Sequence, residues 1–491
     1  MQGSPIIPIL RTVTMRCLPA FFFFVAAAYC AAQAAPAVRQ TVPVLLVSDI
    51  HFEPFWDPAK TAQLAAAPAS QWKTILAAQE SPDRAARFDA LQNSCHARGM
   101  DTSYALLASS LEAMRADAAH IQFIAMGGDL IAHSFSCKFK TLFPGSTPSD
   151  YRAFVEKTIE YVMHSLRAAF PGVPVFAALG NNDSDCGDYR LDAHSEFLAA
   201  AGKTMAADLP AREQKEALDT FAAGGYYSAT LPAPFRHARL LVLDDLFMAR
   251  RYATCAGKPD AAAAAAQIAW LEQQLERARR DGEKIWVMSH IPPGVDPYST
   301  AMKGSDICAG KQPQMYLASE TLADTLGGFG DVVQLAIFAH THMDELRLLA
   351  PAKTAEAHGA VAVKVIPSIS PIDGNNSSFM VARVDPASAV LTGYRVFAAS
   401  NQSGVGTKWA EEYDYAKTYG EPSFSSDSVA ELIAGFKADP SAQSKPSQSY
   451  LRNYFVGDRS AELAPFWPQY VCALGNHTED AYRACVCPIG P

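Results

Sequence analysis

Short apolar runs separated by longer amphipathic stretches set the rhythm of the chain as far as about residue 400. Residues 42–48 (VPVLLVS), 121–127 (IQFIAMG), 173–180 (VPVFAALG), 284–289 (KIWVMS) and 332–339 (VVQLAIFA) are too brief for helices and nearly continuous in hydrophobicity, which predicts strands buried on both faces. Between them, apolar positions recur at helical spacing over residues 104–118 and 151–170, and in QIAWLEQQLERARRDG, which begins at Gln267 and closes on Gly282 as a helix end should. Further strands near 360–366, 379–384 and 390–397 follow without helices between them and read as an antiparallel continuation. The mixture predicts an α/β fold in which sheets carry helices on their outer faces. The stretch ASNQSGVGTK then leads into an aromatic, mainly helical tail, residues 401–491, that carries three cysteines.

What stands at the end of each run changes the picture from fold to chemistry. The first run ends in Asp49-Ile50-His51, the second in Gly128-Asp129, the third in Gly180-Asn181-Asn182-Asp183, the fourth in His290 and the fifth in His340-Thr341-His342. Taken singly these are weak: a histidine after an apolar strand is often a hydrogen-bonded core residue, and Gly-Asn is ordinary turn chemistry. Taken in order they place metal-capable side chains at the carboxyl ends of successive buried strands, which is where α/β folds gather their sites. Imidazole together with carboxylate suits a zinc-class or transition-metal ion, whereas an all-oxygen set would favour magnesium or calcium.

Composition adds compartment and partner. Arg11 and Arg16 precede the apolar run 18–28, and Ala32-Gln33-Ala34 offers small residues for cleavage, so residues 1–34 read as a signal peptide for a secreted or periplasmic protein, with Met15 an alternative start. A lipoprotein reading of Cys30 is disfavoured by bulky Tyr29 before it. Of 10 cysteines, removal of Cys17 and Cys30 leaves eight, an even number that export turns towards disulfides. Spacing leaves their connectivity open, except that Cys485-Val-Cys487 is too tight to close on itself, so at least one of the pair reaches Cys472 or the main domain. The net charge of −9 and the lack of a basic run argue against a nucleic-acid channel, and no membrane span is expected once the signal is removed.

The ordered motifs resemble those of the calcineurin-like metallophosphoesterases, whose signature runs Asp-x-His, Gly-Asp, Gly-Asn-His-Asp/Glu, His and Gly-His-x-His. DIHFEPFWDP, GGDLIAH, SHIPPG and SISPIDGNNSSF make the chain similar in particular to the acid sphingomyelinase-like phosphodiesterase branch, over roughly residues 43–400. The resemblance implies a four-layer α/β/β/α sandwich as a catalytic domain, residues 41–400, followed by the 401–491 region. It implies a dinuclear centre in which Asp49, His51 and His342 hold one divalent ion, Asn181, His290 and His340 hold the other, and Asp129 bridges them. Zinc is the first expectation and manganese or iron also fit the donors. Two cations roughly 3.5 to 4 Å apart lower the pKa of a shared water and clamp phosphoryl oxygens, so the expected nucleophile is a metal-bound hydroxide attacking a phosphodiester or phosphomonoester.

The departure from the pattern is Asn182, where the family has a histidine that assists the leaving group. An amide donates a hydrogen bond but transfers no proton at neutral pH. Either His133, four residues after the metal aspartate and shared with the sphingomyelinase-like branch, carries the acid role, or Asp183 protonates in an acidic compartment; the imidazole pKa favours His133. Gly-Asn-Asn-Asp is also reminiscent of vacuolar endopolyphosphatases, whose phosphate leaving group needs an acid less. By resemblance, Asn375 and Asn376 border the pocket as substrate contacts. Only a few residues separate the expected cleavage site from the first strand, so the lipid-lifting saposin-type domain of acid sphingomyelinase is not expected. The chain is therefore read as a monomer acting on small soluble phosphoesters. Sphingomyelin, with lipid contact by the aromatic tail, and polyphosphate are alternatives. A catalytically silent metal- or phosphate-binding module is the non-enzymatic one.

Overall fold

The apolar runs become strands, and the strands sort into two sheets that face each other. In the computed structural model, which describes residues 41–304, 306–350, 359–457 and 460–487, the strands are β1 Val42–Val47, β2 Ile124–Met126, β3 Val175–Ala177, β4 Tyr227–Thr230, β5 Ala238–Val242, β6 Lys284–Met288, β7 Val333–Phe338, β8 Glu345–Leu349, β9 Val361–Val365, β10 Ser378–Val384, β11 Leu391–Ala399 and β12 Trp409–Asp414. The signal-peptide reading of residues 1–34 lies outside the described residues. The first sheet runs β12-β11-β10-β1-β2-β3 and the second β4-β5-β6-β7-β9-β8. Strands β1, β2 and β3 are parallel, as are β5, β6, β7 and β9, and β1, β2, β3, β6 and β7 among them are the five nearly continuous apolar runs of the sequence.

Aromatic side chains join the sheets. Phe123, just before β2, meets Trp286 of β6 edge-on with centroids 5.8 Å apart, and the Trp286 indole donates to the Ala389 carbonyl at 2.7 Å. Helices Tyr104–Asp117 and Pro148–Ala169 pack on the first sheet and Ala262–Asp281 on the second, which completes four α/β/β/α layers. Their ends follow local chemistry. Thr147 and Asp150 form a reciprocal cap with Pro148 in the first turn, and Gly282 ends its helix at φ 69°, a left-handed value that glycine takes without strain.

Four strands escape a reading by hydrophobic runs. β4, β5 and β8 carry Ser228, Arg239, Glu345 and Arg347, which break the continuity, and β12 (WAEEYD) is an edge strand whose outer positions are charged. The expected antiparallel continuation also divides. β10 and β11 are antiparallel in the first sheet, whereas β9 belongs to the second, where its hairpin with β8 turns it parallel to β7.

The C-terminal helices Ser426–Lys437, Lys445–Tyr454 and Trp467–Gly475 share the main core, with Phe436, Tyr450, Trp467 and Tyr470 buried there. Polar groups fix their register on β8: Tyr470 donates to Glu345 at 3.2 Å, and the Tyr450 hydroxyl accepts from the Leu346 amide at 3.4 Å. The tail aromatics are thus core rather than an exposed lipid-facing stripe. All eight remaining cysteines pair, as Cys95–Cys137, Cys186–Cys255, Cys308–Cys487 and Cys472–Cys485. Of the adjacent pair, one therefore reaches Cys472 and the other the main body. No helix among the described residues is long and apolar enough to cross a membrane.

Candidate metal centre and active site

The parallel strands of both sheets release their chains towards one crevice, and they do so through an unusual backbone. Asp49, His51, Asp129, His340 and His342 all have positive φ, from 39° to 70°, a region that costs a non-glycine residue about 1 kcal/mol or more. Each turns sharply out of its strand end, so that neighbouring side chains converge instead of alternating across a sheet. The glycines of the motifs make room for this. A Cβ on Gly180 would lie 2.1 Å from Asp129 Oδ1, and one on Gly128, at φ 106°, would lie 2.7 Å from His290 Nδ1.

The converging donors form two groups that share Asp129. On one side His51 Nε2 stands 3.4 Å from Asp129 Oδ2 and 3.1 Å from His342 Nε2, and His342 Nε2 is 3.5 Å from Asp49 Oδ1. On the other, His290 Nε2 stands 3.3 Å from Asp129 Oδ2 and 3.2 Å from Asn181 Oδ1, with His340 in the same group. Outer contacts select the inward-facing atoms. His51 Nδ1 is held by the Ile131 carbonyl at 2.9 Å and His290 Nδ1 by the Gly127 carbonyl at 2.8 Å, which leaves each Nε2 as the donor.

These residues fit divalent cations. Asp49 Oδ1 is wholly buried without a hydrogen-bond partner, although three imidazole Nε2 atoms lie within 3.9 Å of it. A buried carboxylate oxygen left in that state is costly unless a cation accepts it. Burial, with His133 adding, pushes His51 down to about 3, and burial and His290 push His340 well below its ordinary range, so both are neutral as ligation requires. Burial also opposes a charge on His290, but Asp129, Asp49 and Asp245 outweigh it and draw that ring up to about 10. Positive charge is called for among these carboxylates, and divalent ions would supply it.

His133 stands over this cluster, with a ring nitrogen within 4.8 Å of donor atoms of His51 and His342. Its ring stacks on His51 at 4.0 Å, and its Nδ1 pairs with Asp101 Oδ1 at 3.0 Å while its backbone N–H donates to Asp101 Oδ2 at 2.8 Å. The side chain is 35% exposed, so Nε2 is the atom left to face a ligand. Burial works against protonation here too, but the Asp101 charge and hydrogen bond prevail and raise the ring to about 9.

The family model for calcineurin-like phosphoesterases matches residues 42–344, from β1 to just past His342. The chain belongs to that family. The phosphoesterase is accordingly a metal-dependent phosphoric ester hydrolase. It is 25% identical over 409 residues to acid sphingomyelinase-like phosphodiesterase 3b of Homo sapiens, covering 79% of this chain and 80% of the relative. It is 26% identical over 400 residues to the cyclic GMP-AMP phosphodiesterase SMPDL3A of Rattus norvegicus, covering 79% and 82%. Among solved structures, a dimetal phosphatase from Danio rerio is similar at 12% identity and a TM-score of 0.38, covering 75% of this chain and 98% of that one.

Several polar residues of the phosphoesterase stand elsewhere than expected. Asn182 spends its amide on the shared carboxylate: its side chain donates to Asp129 Oδ2 at 2.9 Å and its backbone to Asp129 Oδ1 at 2.8 Å, so it steadies that group. Asp183 is a correction to the proton-donor alternative. Burial and Asp129 raise its carboxyl to about 8, yet it is fully buried and its oxygens accept from the amides of Gly180, Leu130 and Ile131 at 2.8 to 3.1 Å. It clamps the loops after β2 and β3. Asp183→Ala is expected to strand those buried amides and cost roughly 3 kcal/mol of stability, read as a fall in Tm by calorimetry. Asn375 is a correction of the same kind. Its side chain is fully buried and donates to Ser368 Oγ at 2.9 Å and the Ser370 carbonyl at 3.2 Å, shaping its loop instead of meeting a substrate. Asn376 lies beside Gly457 of the C-terminal region.

Residues missed by sequence reasoning support the candidate ligands and His133: Asp101 on His133, Asp188 on Asn181, Tyr189 on His340, and Asp373 with Oδ2 3.0 Å from His342 Nδ1. Only Asp188 and Tyr189 had a local signal, in the polar crowd after Gly180. Beside His340 opens a cavity of about 340 Å³ lined by Tyr298, Tyr316, Tyr454, Phe455, Met343, Asp296, Asp373 and Glu462 among others, and no lysine or arginine among the described residues lines it.

Proposed function

We propose that this chain is an exported dinuclear phosphoesterase acting on small soluble phosphodiesters, with the aromatic cavity beside His340 receiving the non-phosphate part of the substrate. The observation that carries the proposal is the pair of donor groups sharing Asp129, with His133 poised above them. Asp49, His51, His342 and Asp129 would hold one ion, and Asn181, His290, His340 and Asp129 the other; zinc suits this imidazole-rich set best. When bound, the two ions supply Lewis acidity towards water and the phosphoryl oxygens. The chain's own part is to orient and to move protons. Asn182 and the carbonyls of Gly127 and Ile131 hold the donors in place, and His133, kept protonated by Asp101, gives its Nε2 proton to the departing oxygen. Export is supported by the disulfides, which persist in oxidising compartments.

The cavity bears on substrate class. Tyr298, Tyr316, Tyr454 and Phe455 give it aromatic faces on which an organic group, which polyphosphate lacks, can stack. The relatives named above as phosphodiesterases, one of them for cyclic GMP-AMP, point the same way. The reading is tested by competing a soluble nucleotide phosphodiester, inorganic polyphosphate and sphingomyelin vesicles for the zinc-loaded protein. The soluble ester is expected to show the highest kcat/KM. Faster hydrolysis of polyphosphate or of vesicles would overturn the substrate assignment.

A further inference from the structure

Two side chains of the loop after β3 hold ligands of one metal position and not of the other. Asn181 can serve as a donor only through its amide oxygen, and a half-turn of the amide would present nitrogen instead. Its Nδ2 donates to Asp188 Oδ1 at 2.7 Å, which leaves Oδ1 beside His290 Nε2 at 3.2 Å. His340 has a similar choice between ring nitrogens. The Tyr189 hydroxyl lies 3.2 Å from its Nε2, with the rings edge-on at 6.2 Å, and commits Nδ1 to the interior. The opposite group is held by other elements: His51 by the Ile131 carbonyl and His342 by Asp373.

The loop that carries this hook is itself tied down. Cys186 is bonded to Cys255, the Cys255 amide donates to Asp192 at 2.9 Å, and the Ala253 amide donates to the Tyr189 carbonyl at 3.0 Å. Arg251 caps it, with its guanidinium 4.2 Å over the Tyr189 ring and 3.8 Å from Asp188 Oδ2. An outer contact of this kind stiffens a ligand and raises its basicity, so its removal weakens the metal it serves.

We infer that Asp188 and Tyr189 are positioning residues for a single metal position, the one built on Asn181, His290 and His340, and that the Cys186–Cys255 crosslink keeps them in place. The inference rests on the dinuclear reading, and its test separates the two. Protein loaded with Mn²⁺ is dialysed against a graded chelator series, with metal content read by elemental analysis and ion pairing by electron paramagnetic resonance. Wild type retains two coupled ions. Asp188→Ala and Tyr189→Phe each release one ion with an affinity about 10- to 100-fold weaker, and the spectrum becomes that of an isolated ion. Asp188→Asn, which still accepts from the Asn181 amide, restores the pair. A Cys186→Ser/Cys255→Ser double variant shows the same selective weakening. Tyr189→Phe removes one hydroxyl and keeps the test available should Asp188→Ala fail to fold. Variants that lose both ions together, or neither, overturn the inference. A wild-type protein that binds fewer than two ions overturns the dinuclear reading instead.

Discussion

Asp129→Asn is expected to lower kcat/KM by at least about 10³-fold, equivalent to about 4 kcal/mol of transition-state stabilisation. Asp129 approaches both donor groups more closely than Asp49 does, at 3.4 Å from His51 and 3.3 Å from His290 against 3.9 Å from each for Asp49. Its place is enforced from outside by two donors from Asn182. An amide at residue 129 would remove the charge and turn an N–H₂ group towards either those donors or the imidazoles, so the variant is penalised in either orientation. Metal content is expected to fall with activity while the fold persists, because the buried strands do not depend on this side chain. A variant that keeps both ions and turns over within tenfold of wild type would show that Asp129 is not shared between them.

His133→Gln is expected to lower kcat by about 10²- to 10⁴-fold on esters with a poor leaving group and by far less on a 4-nitrophenyl ester, whose leaving group departs without a proton. The expectation follows from placement. His133 stacks on His51, is anchored through Nδ1 to Asp101, and leaves Nε2 facing out, whereas Asn182 has no proton to give and Asp183 spends its carboxylate on buried amides. Glutamine preserves the possibility of a hydrogen bond to Asp101 and removes only the transferable proton. The measurement is the ratio of wild-type to variant rates across a leaving-group series. Equal losses on good and poor leaving groups would assign His133 to binding rather than to proton transfer.

The candidate ligands were legible because parallel strands buried on both faces read as uninterrupted apolar runs, so polar residues at their ends stand out. Asp49, His51, Asp129, Asn181, His290, His340 and His342 all lie at such ends, and their side chains stand near one another in the fold. The supporting residues carried no comparable signal. Asp101 meets His133 across 32 residues from the loop before a helix, and nothing in its neighbourhood marks it as more than a turn carboxylate. Asn375 misled for the opposite reason. A loop rich in amides and serines reads as a binding surface, but here the Asn375 amide nitrogen is spent inside a buried turn on Ser368 Oγ and the Ser370 carbonyl. Strands β4, β5 and β8 escape the linear reading where Ser228, Arg239, Glu345 and Arg347 interrupt their apolar pattern; Glu345 and Arg347 form a buried pair at 3.1 Å that a linear reading takes for solvent-facing charge.

The central claim is that two ions in this crevice make the chain a phosphoesterase, and titration of metal-free protein tests it most directly. Zn²⁺ or Mn²⁺ is added stepwise while bound metal per chain and release of 4-nitrophenolate from bis(4-nitrophenyl) phosphate and from its monoester are followed together. Turnover is expected to rise with filling of the second position, to saturate at two ions per chain and to be lost again on chelation. Saturation at two ions with no release from either ester or from a soluble nucleotide phosphodiester would contradict the account.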